Sequence, residues 1–432
     1  MARTKSGLLT RIAAPFCKFT LALGAALGIA SSANAADYDW TGGGTDTNYS
    51  TPENWGLESG FPGSEDGARF SGGAASKTVT FNGAYTPAYV WTATGNKASP
   101  VIWEVSGTVT TTWHIGCADN VGQVGALTID SGTYNAGGGS GTGVLTMNGG
   151  IVNADGVSYW GTEANADFNA TITSGATVNF NGIDGYTSLR MMNGTGIAGI
   201  VNIDGGAFAV NGGDFELGLG NSDATSQTTI NISDGGVLSV GDATERWMIL
   251  GSAGTGKATI NVNEGGTFSF WRIAHTSTGE CKLNVNGGTL KILGKTWNYD
   301  NGTIATDNDA SFTVTVGENG GTLDTNGFDV KIPKIFKGTG TLTITGGGSV
   351  LFTAQPECTI VANGATYTIE DDNFYWTGAS AENSNWSNPA NWRGGVVPSS
   401  VDASVVIPDG ANIVLAENAT AGAITVNGAA NI

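Results

Sequence analysis

The sequence reads as an all-β chain wound into a right-handed parallel β-helix of about 8–10 coils, a β-solenoid with a Trp-rich capping module. Three observations carry this expectation. A phrase of alternating apolar residues around a Gly-containing turn recurs through the middle of the chain. Glycine supplies 69 of the 432 residues but comes in pairs rather than at every third position, which excludes a collagen triple helix. A Trp- and Asn-rich phrase occurs twice, once on each side of the repeats.

Composition narrows the class further. Proline is scarce at 10 and charged residues make up 13%, so the chain is neither a Pro-rich linker nor a charged disordered segment. Hydrophobic residues at 40% are enough to fill a core. The formal charge is −19, from 18 Lys+Arg against 37 Asp+Glu. A field of that sign repels nucleic acid and anionic membranes and sets aside a nucleic-acid role.

Residues 1–35 read as a signal peptide. Arg3, Lys5, Arg11 and Lys18 form a basic start without acids, Phe19 to Ala30 an apolar stretch, and Ala33-Asn34-Ala35 an A-x-A cleavage pattern. The apolar stretch is too short for a permanent span, and no later run of about 18 apolar residues offers a transmembrane helix. The expected location is beyond the inner membrane, extracellular or on the outer cell surface. Cys117, Cys281 and Cys358 follow the cleavage pattern, widely spaced and outside any CxxC pair, and read as buried, inert thiols.

Residues 36–105 form a Trp/Asn-rich module that leads into the repeats. Residues 106–372 carry the repeated phrase. It reads LTIDSGTYNA at 127, LTMNGGIVNA at 145, ATITSGATVNF at 170 and VNIDGGAFAV at 201. It returns as INISDGGVLSV at 230, INVNEGGTFSF at 260, LNVNGGTLKI at 283 and LTITGGGSVLF at 342. Period-2 alternation marks strands with one buried face, and the Asp-Gly-Gly and Asn-Gly-Gly steps supply corners with positive φ. The best copies recur every 30 residues or so, and a third short segment such as Trp247 to Gly251 or Trp271 to Ala274 completes each unit. One such coil cannot bury its inner face alone, whereas stacked coils share a continuous core. Parallel stacking in register is expected to align Asn202, Asn231, Asn261 and Asn284 as a ladder.

Residues 373–432 repeat the opening module. Trp40 matches Trp376, Tyr49 matches Trp386, Asn54-Trp55 matches Asn391-Trp392, Pro62 matches Pro398 and Asp66 matches Asp402. The expected role is a cap, with rings covering the open apolar end of the first coil and Asn fastening a turn. A sugar-stacking platform is the alternative. The second copy reads as truncated. It stops where the first runs on into the repeats, so either the chain ends in a brief second module or, as the favoured expectation, it is a fragment of a longer tandem protein. The W-T-G, N-P-A-N-W, V-P and Asp pattern, the Gly-Gly strands and the leader resemble secreted bacterial β-helical proteins. These are proteins with autotransporter-associated β-strand repeats and autotransporter-passenger-like adhesins. The resemblance spans nearly all of the chain after residue 35 and implies a secreted β-helix acting in adhesion. It departs at the C-terminal side, where strands of about ten residues ending in an aromatic, the mark of a membrane barrel, are absent.

Few residues point to chemistry. Gly251 to Ala258 (GSAGTGKA) imitates a phosphate loop, but Ala258 replaces the Ser or Thr that would bind magnesium, and a strand pattern follows. His114 and His275 fall in corresponding third segments, outside any zinc spacing, and are expected on partly exposed faces. Carboxylates that a sugar-cleaving β-helix might use are Asp155, Asp214, Glu216, Asp242 and Glu245, with Arg190, Arg246 and Arg272 as basic partners. Asp204, Asp234 and Glu264 occupy turns, where acids serve the backbone; they leave only weak calcium binding open, with no other cofactor expected. No catalytic residue is assigned. Trp247, Trp271 and Arg272 are the candidate ligand-facing side chains. The reading is a noncatalytic surface solenoid with a glycan or cell-surface protein as partner. A polysaccharide-degrading enzyme or carbohydrate-binding accessory protein is the alternative.

Overall fold

A computed structural model describes residues 36–70, 77–91, 99–116, 125–141, 143–155, 158–160, 168–182, 187–191, 195–217, 224–241, 246–250, 255–275, 278–294, 304–305, 311–370, 373–416 and 418–432. The proposed leader lies outside these residues. Ala35–Ile432 form one compact unit, and the architecture that follows is that unit's. Among the described residues, no helix is long and apolar enough to cross a membrane.

The chain is a parallel β-helix, as its sequence predicts. Its strands fall into three columns. The first column is an 11-stranded sheet that starts at Lys77–Phe81 and ends at Phe336–Gly338. The second and third columns merge into one 21-stranded sheet, because Thr108–Gly116 and Thr133–Gly141 run unbroken through both. Neighbours pair in parallel and in register, so like residues stack. Ile172, Ile203, Ile232, Val262, Val285 and Val316 follow one another inside the first column, each fully buried. Burying each such side chain contributes roughly 1.5–3 kcal/mol, which no isolated coil could collect.

The outward faces carry their own order. Asn231 donates to Asn202 at 2.8 Å, Asn261 to Asn231 at 2.8 Å and Asn284 to Asn261 at 2.9 Å, the expected ladder. A second ladder on the second column, unforeseen from the sequence, joins Asn179 to Asn153 and Asn153 to Asn135, both at 2.8 Å. The steps between partners show how far coil length varies. They are 29, 30 and 23 residues in the first ladder, but 18 and 26 in the second. The columns stay aligned across coils of these different lengths.

One corner shows why glycine recurs. Asp234 and Gly235 both adopt left-handed backbone, with φ of 52° and 87°. Gly236 has ordinary φ, but a Cβ there would lie 2.1 Å from the Ile203 carbonyl oxygen one coil away. At Gly236 the stacked corners leave no room for a side chain.

One copy of the phrase is displaced. The strand Thr341–Thr345 opens LTITGGGSVLF and by sequence belongs in the first column. It pairs instead with Gly321–Asp324 in the second, because Phe336–Gly338 already occupies the first. The rest of that phrase, Ser349–Phe352, joins a separate sheet between Val330–Ile332 and Thr366–Ile369. Beyond it, Asn373–Tyr375, Ser404–Ile407 and Ala423–Val426 form their own sheet over a second core.

Gly236→Ala presses a methyl group into fixed backbone and is expected to lower stability by about 2–3 kcal/mol. Gly327→Ala meets nothing within 4 Å at its φ of +82° and should cost only the backbone strain, about 1 kcal/mol. Asn231→Ala removes one bond donated and one accepted and should cost about 1–2 kcal/mol. Urea midpoints of the three variants would check the ranking.

Candidate functional site

The third column gathers five of the charged and aromatic residues that the sequence singles out, Arg190, Asp214, Glu216, Trp247 and Arg272. Asp214–Leu217 and Trp247–Leu250 both alternate outward and inward, so Asp214, Glu216 and Trp247 face out while Phe215, Leu217 and Met248 fill the core. Register places Arg190 beside Glu216, and their side chains form an ion pair at 3.3 Å. Asp214 accepts the Trp247 backbone N–H at 2.9 Å. Burial raises the Asp214 carboxyl above the ordinary aspartate range. The Trp247 amide and the nearby Arg246 charge oppose that rise, while Glu216 adds to it.

The three candidate ligand-facing residues come together in adjacent coils. Trp247 pairs with Arg272 across the strands, and the guanidinium lies 3.9 Å from the centre of the indole ring. Arg272 is only 2% exposed, so it packs rather than being displayed. Trp271 is half-buried, and its ring fills the space that a Cβ on Gly294 would need. Among the candidate carboxylates, Asp155 accepts the Asn181 side-chain amide at 2.9 Å and serves a ladder. Asp242 and Glu245 lie outside the described residues.

Two carboxyls in unlike surroundings on one strand are raw material for acid–base chemistry. Here both are engaged, Glu216 with an arginine and Asp214 with a backbone amide. No family model, no curated protein and no solved structure matches this chain. The site is therefore read from its geometry alone.

The remaining candidates are structural in placement. His275, expected on a partly exposed face, is instead buried, because all four positions of Arg272–His275 are covered. Its Nε2 lies 3.1 Å from the Gly279 carbonyl oxygen and its ring stacks on Phe312. The side chain of His114 and all of Cys117 lie outside the described residues. Cys281 and Cys358 are buried and form no disulfide among the described residues, and burial pushes the Cys358 thiol up to about 12. Lys257, from the imitation phosphate loop, opens a first-column strand rather than a helix. Among the described residues, no three His, Cys, Asp or Glu gather as metal ligands, the turn acids Asp204, Asp234 and Glu264 included.

The duplicated modules are built alike. Trp40 meets Trp55 edge-on at 5.1 Å and 84°, and Trp376 meets Trp392 at 5.1 Å and 84°. The Trp55 indole N–H donates to the Tyr49 carbonyl at 2.7 Å, and Trp392 donates to the Trp386 carbonyl at 2.6 Å. Asn54, fully buried, accepts from Gly44 and donates to the carbonyls of Asp46 and Asn48. Asn391 repeats this with Ser380, Asn383 and Asn385. A buried amide satisfied three times over fastens its loop strongly, which accounts for the shared Asn-Trp step. The acids differ. Asp66 accepts from Gly63 and Ala36, whereas Asp402 is exposed with its backbone N–H bonded to Ser400. In the first module the rings run on through Phe70 and Trp103 to Tyr134 inside the solenoid.

Asp214→Asn keeps an acceptor for the Trp247 amide and removes the buried charge. A raised folded-state carboxyl contributes stability at low pH that is lost as pH rises through its folded value. The variant's melting temperature should therefore match or exceed that of the natural chain near pH 7, and lose that advantage near pH 4 or so. Thermal melts across that range would read it.

Proposed function

We propose that this protein is a secreted or cell-surface, noncatalytic β-solenoid with an adhesion or structural matrix role. The observation that carries the reading is the commitment of its outward polar groups to the neighbouring coil. Amide bonds to amide along both Asn ladders, Arg190 to Glu216, and Asp214 to the Trp247 amide. A catalytic site instead holds carboxyls or nucleophiles available to a substrate.

The mechanism is geometric. Backbone pairing between coils makes a scaffold, and its faces present rows of Asn and Thr with isolated aromatics to a glycan or a surface protein. Export rests on the leader pattern of residues 1–35, and surface placement on the resemblance to passenger-like adhesins. The acidic charge keeps such a scaffold soluble and away from nucleic acid.

The test is to incubate the purified chain with a panel of plant, bacterial and animal polysaccharides and to measure both retention and product release. Retention on one or more surfaces without shortened chains is the expected outcome. Release of oligosaccharides from any polymer, abolished by Asp214→Asn or Glu216→Gln, would replace this reading with a polysaccharide-cleaving enzyme.

A further inference from the structure

The two modules share a framework but differ in one place. In the first, Tyr49 is covered by two further rings, Phe61 at 5.7 Å and Tyr85 at 4.8 Å, which also touch each other at 5.6 Å. Backbone register locates the same positions in the second module. Tyr49 N–H bonds to the Thr80 carbonyl at 3.0 Å, and Trp386 N–H to the Val414 carbonyl at 2.9 Å. Downstream, Gly67 pairs with Tyr89 and Ser404 with Ala423. Equal spacing from Thr80 to Tyr89 and from Val414 to Ala423 sets Ala419 where Tyr85 stands. The shared Pro62 and Pro398 set Val397 where Phe61 stands.

Both covering rings are thus replaced by small side chains, and the space stays open. A cleft of about 130 Å³ lies there, bounded by Trp386, Val397, Pro398 and Ala419. A cavity of about 150 Å³ admits benzene, so this one has the scale of a single six-membered ring. Its rim differs too. Ser399 stands for Gly63 and Asn418 for Ala84, while Ser387 and Thr420 match Ser50 and Thr86. None of these four polar side chains is hydrogen-bonded to another described residue.

We propose that this cleft is a carbohydrate subsite that takes one pyranose ring of a neutral glycan between Val397 and Ala419, with the largely buried Trp386 at its base. The first module shows that the space suits rings, because it fills that space with two of its own. The polar rim distinguishes the ligand from an aromatic side chain. Hydroxyl and amide groups around an apolar floor match a sugar, which has apolar C–H faces and a hydroxyl edge. Neutrality follows from the absence of charged side chains among the described lining residues. The proposal rests on the display role above and supplies a ligand class for it.

The experiment uses the full chain and two variants. Methyl glycosides of glucose, galactose and N-acetylglucosamine, with their linear tetrasaccharides, are titrated by saturation-transfer NMR and calorimetry; p-cresol serves as the aromatic probe. In the first variant, Val397→Phe with Ala419→Tyr restores the rings of the first module. Saturable binding of at least one sugar is expected, weakened at least about tenfold in this filled variant. The filled variant's melting temperature should equal or exceed that of the natural chain. In the second variant, Ser399→Gly with Asn418→Ala trims the rim and should weaken sugar binding without moving the melting temperature, which guards against a filled variant that does not fold. Three outcomes would overturn the proposal: no saturable sugar binding, binding of p-cresol alone, or undiminished sugar binding in both variants. Undiminished glycan binding would leave the display role standing while this assignment fell. Polymer cleavage would remove the display role whatever the cleft did.

Discussion

Parallel pairing in register sets each residue directly over its counterpart one coil away, and most of the structure follows from that. Inward positions are apolar in most coils, because a polar group inside would stack on hydrocarbon above and below. His275, in register with Leu250, is an exception whose Nε2 meets the Gly279 carbonyl. Amides tolerate the arrangement especially well, since a side chain that both donates and accepts can bond to copies of itself. Charges tolerate it badly. Asp234 stands beside Asp204, and the hydrogen bond and repulsion between them raise its carboxyl above the usual range. The same rule calls for glycine at corner positions such as Gly236, where the backbone of the adjacent coil occupies the place of a side chain.

How much of this was legible in the sequence depends on coil length. Where coils are close to 30 residues, as from Asn202 to Asn261, the alternation and the ladder could be read directly. The ladder from Asn135 to Asn179 was present in the phrases TYNA, IVNA and TVNF, but steps of 18 and 26 residues hid its register. The displaced strand at Thr341 was not legible. Its phrase is a faithful copy, and only the presence of Phe336–Gly338 in the first column moves it. The third column held the same difficulty for the candidate site. That Trp247 stacks on Arg272, and that His275 is buried, depends on contacts between coils joined by corners of irregular length.

The duplicated module shows which residues build a framework and which are free to vary. Trp-Trp contacts and Asn-fastened loops agree to within a few tenths of an ångström across the two copies. Their sequence match was a reliable guide to structure because these residues bond mostly within the module. The second copy also meets the last coil of the solenoid, where Gln355 donates to the Arg393 carbonyl and the Arg393 guanidinium pairs with Glu357 at 3.8 Å. The rings at Phe61 and Tyr85 lie outside the shared pattern, so a motif comparison passes over them, and only the packing shows what their loss leaves open.

The ladders also have a sense of direction. In every Asn–Asn rung described, the later coil gives the hydrogen and the earlier coil gives the oxygen, and Asn431 bonding to Asn412 in the second module obeys the same rule. Aligned amide dipoles add, so each row is a weak vector along the stack, with N–H groups turned toward earlier coils and C=O groups toward later ones. The two faces of a coil are therefore unlike. Each coil must turn its N–H groups toward the coil before it to join such a row, so the amide rows set the sense of stacking within the chain as well as fastening it.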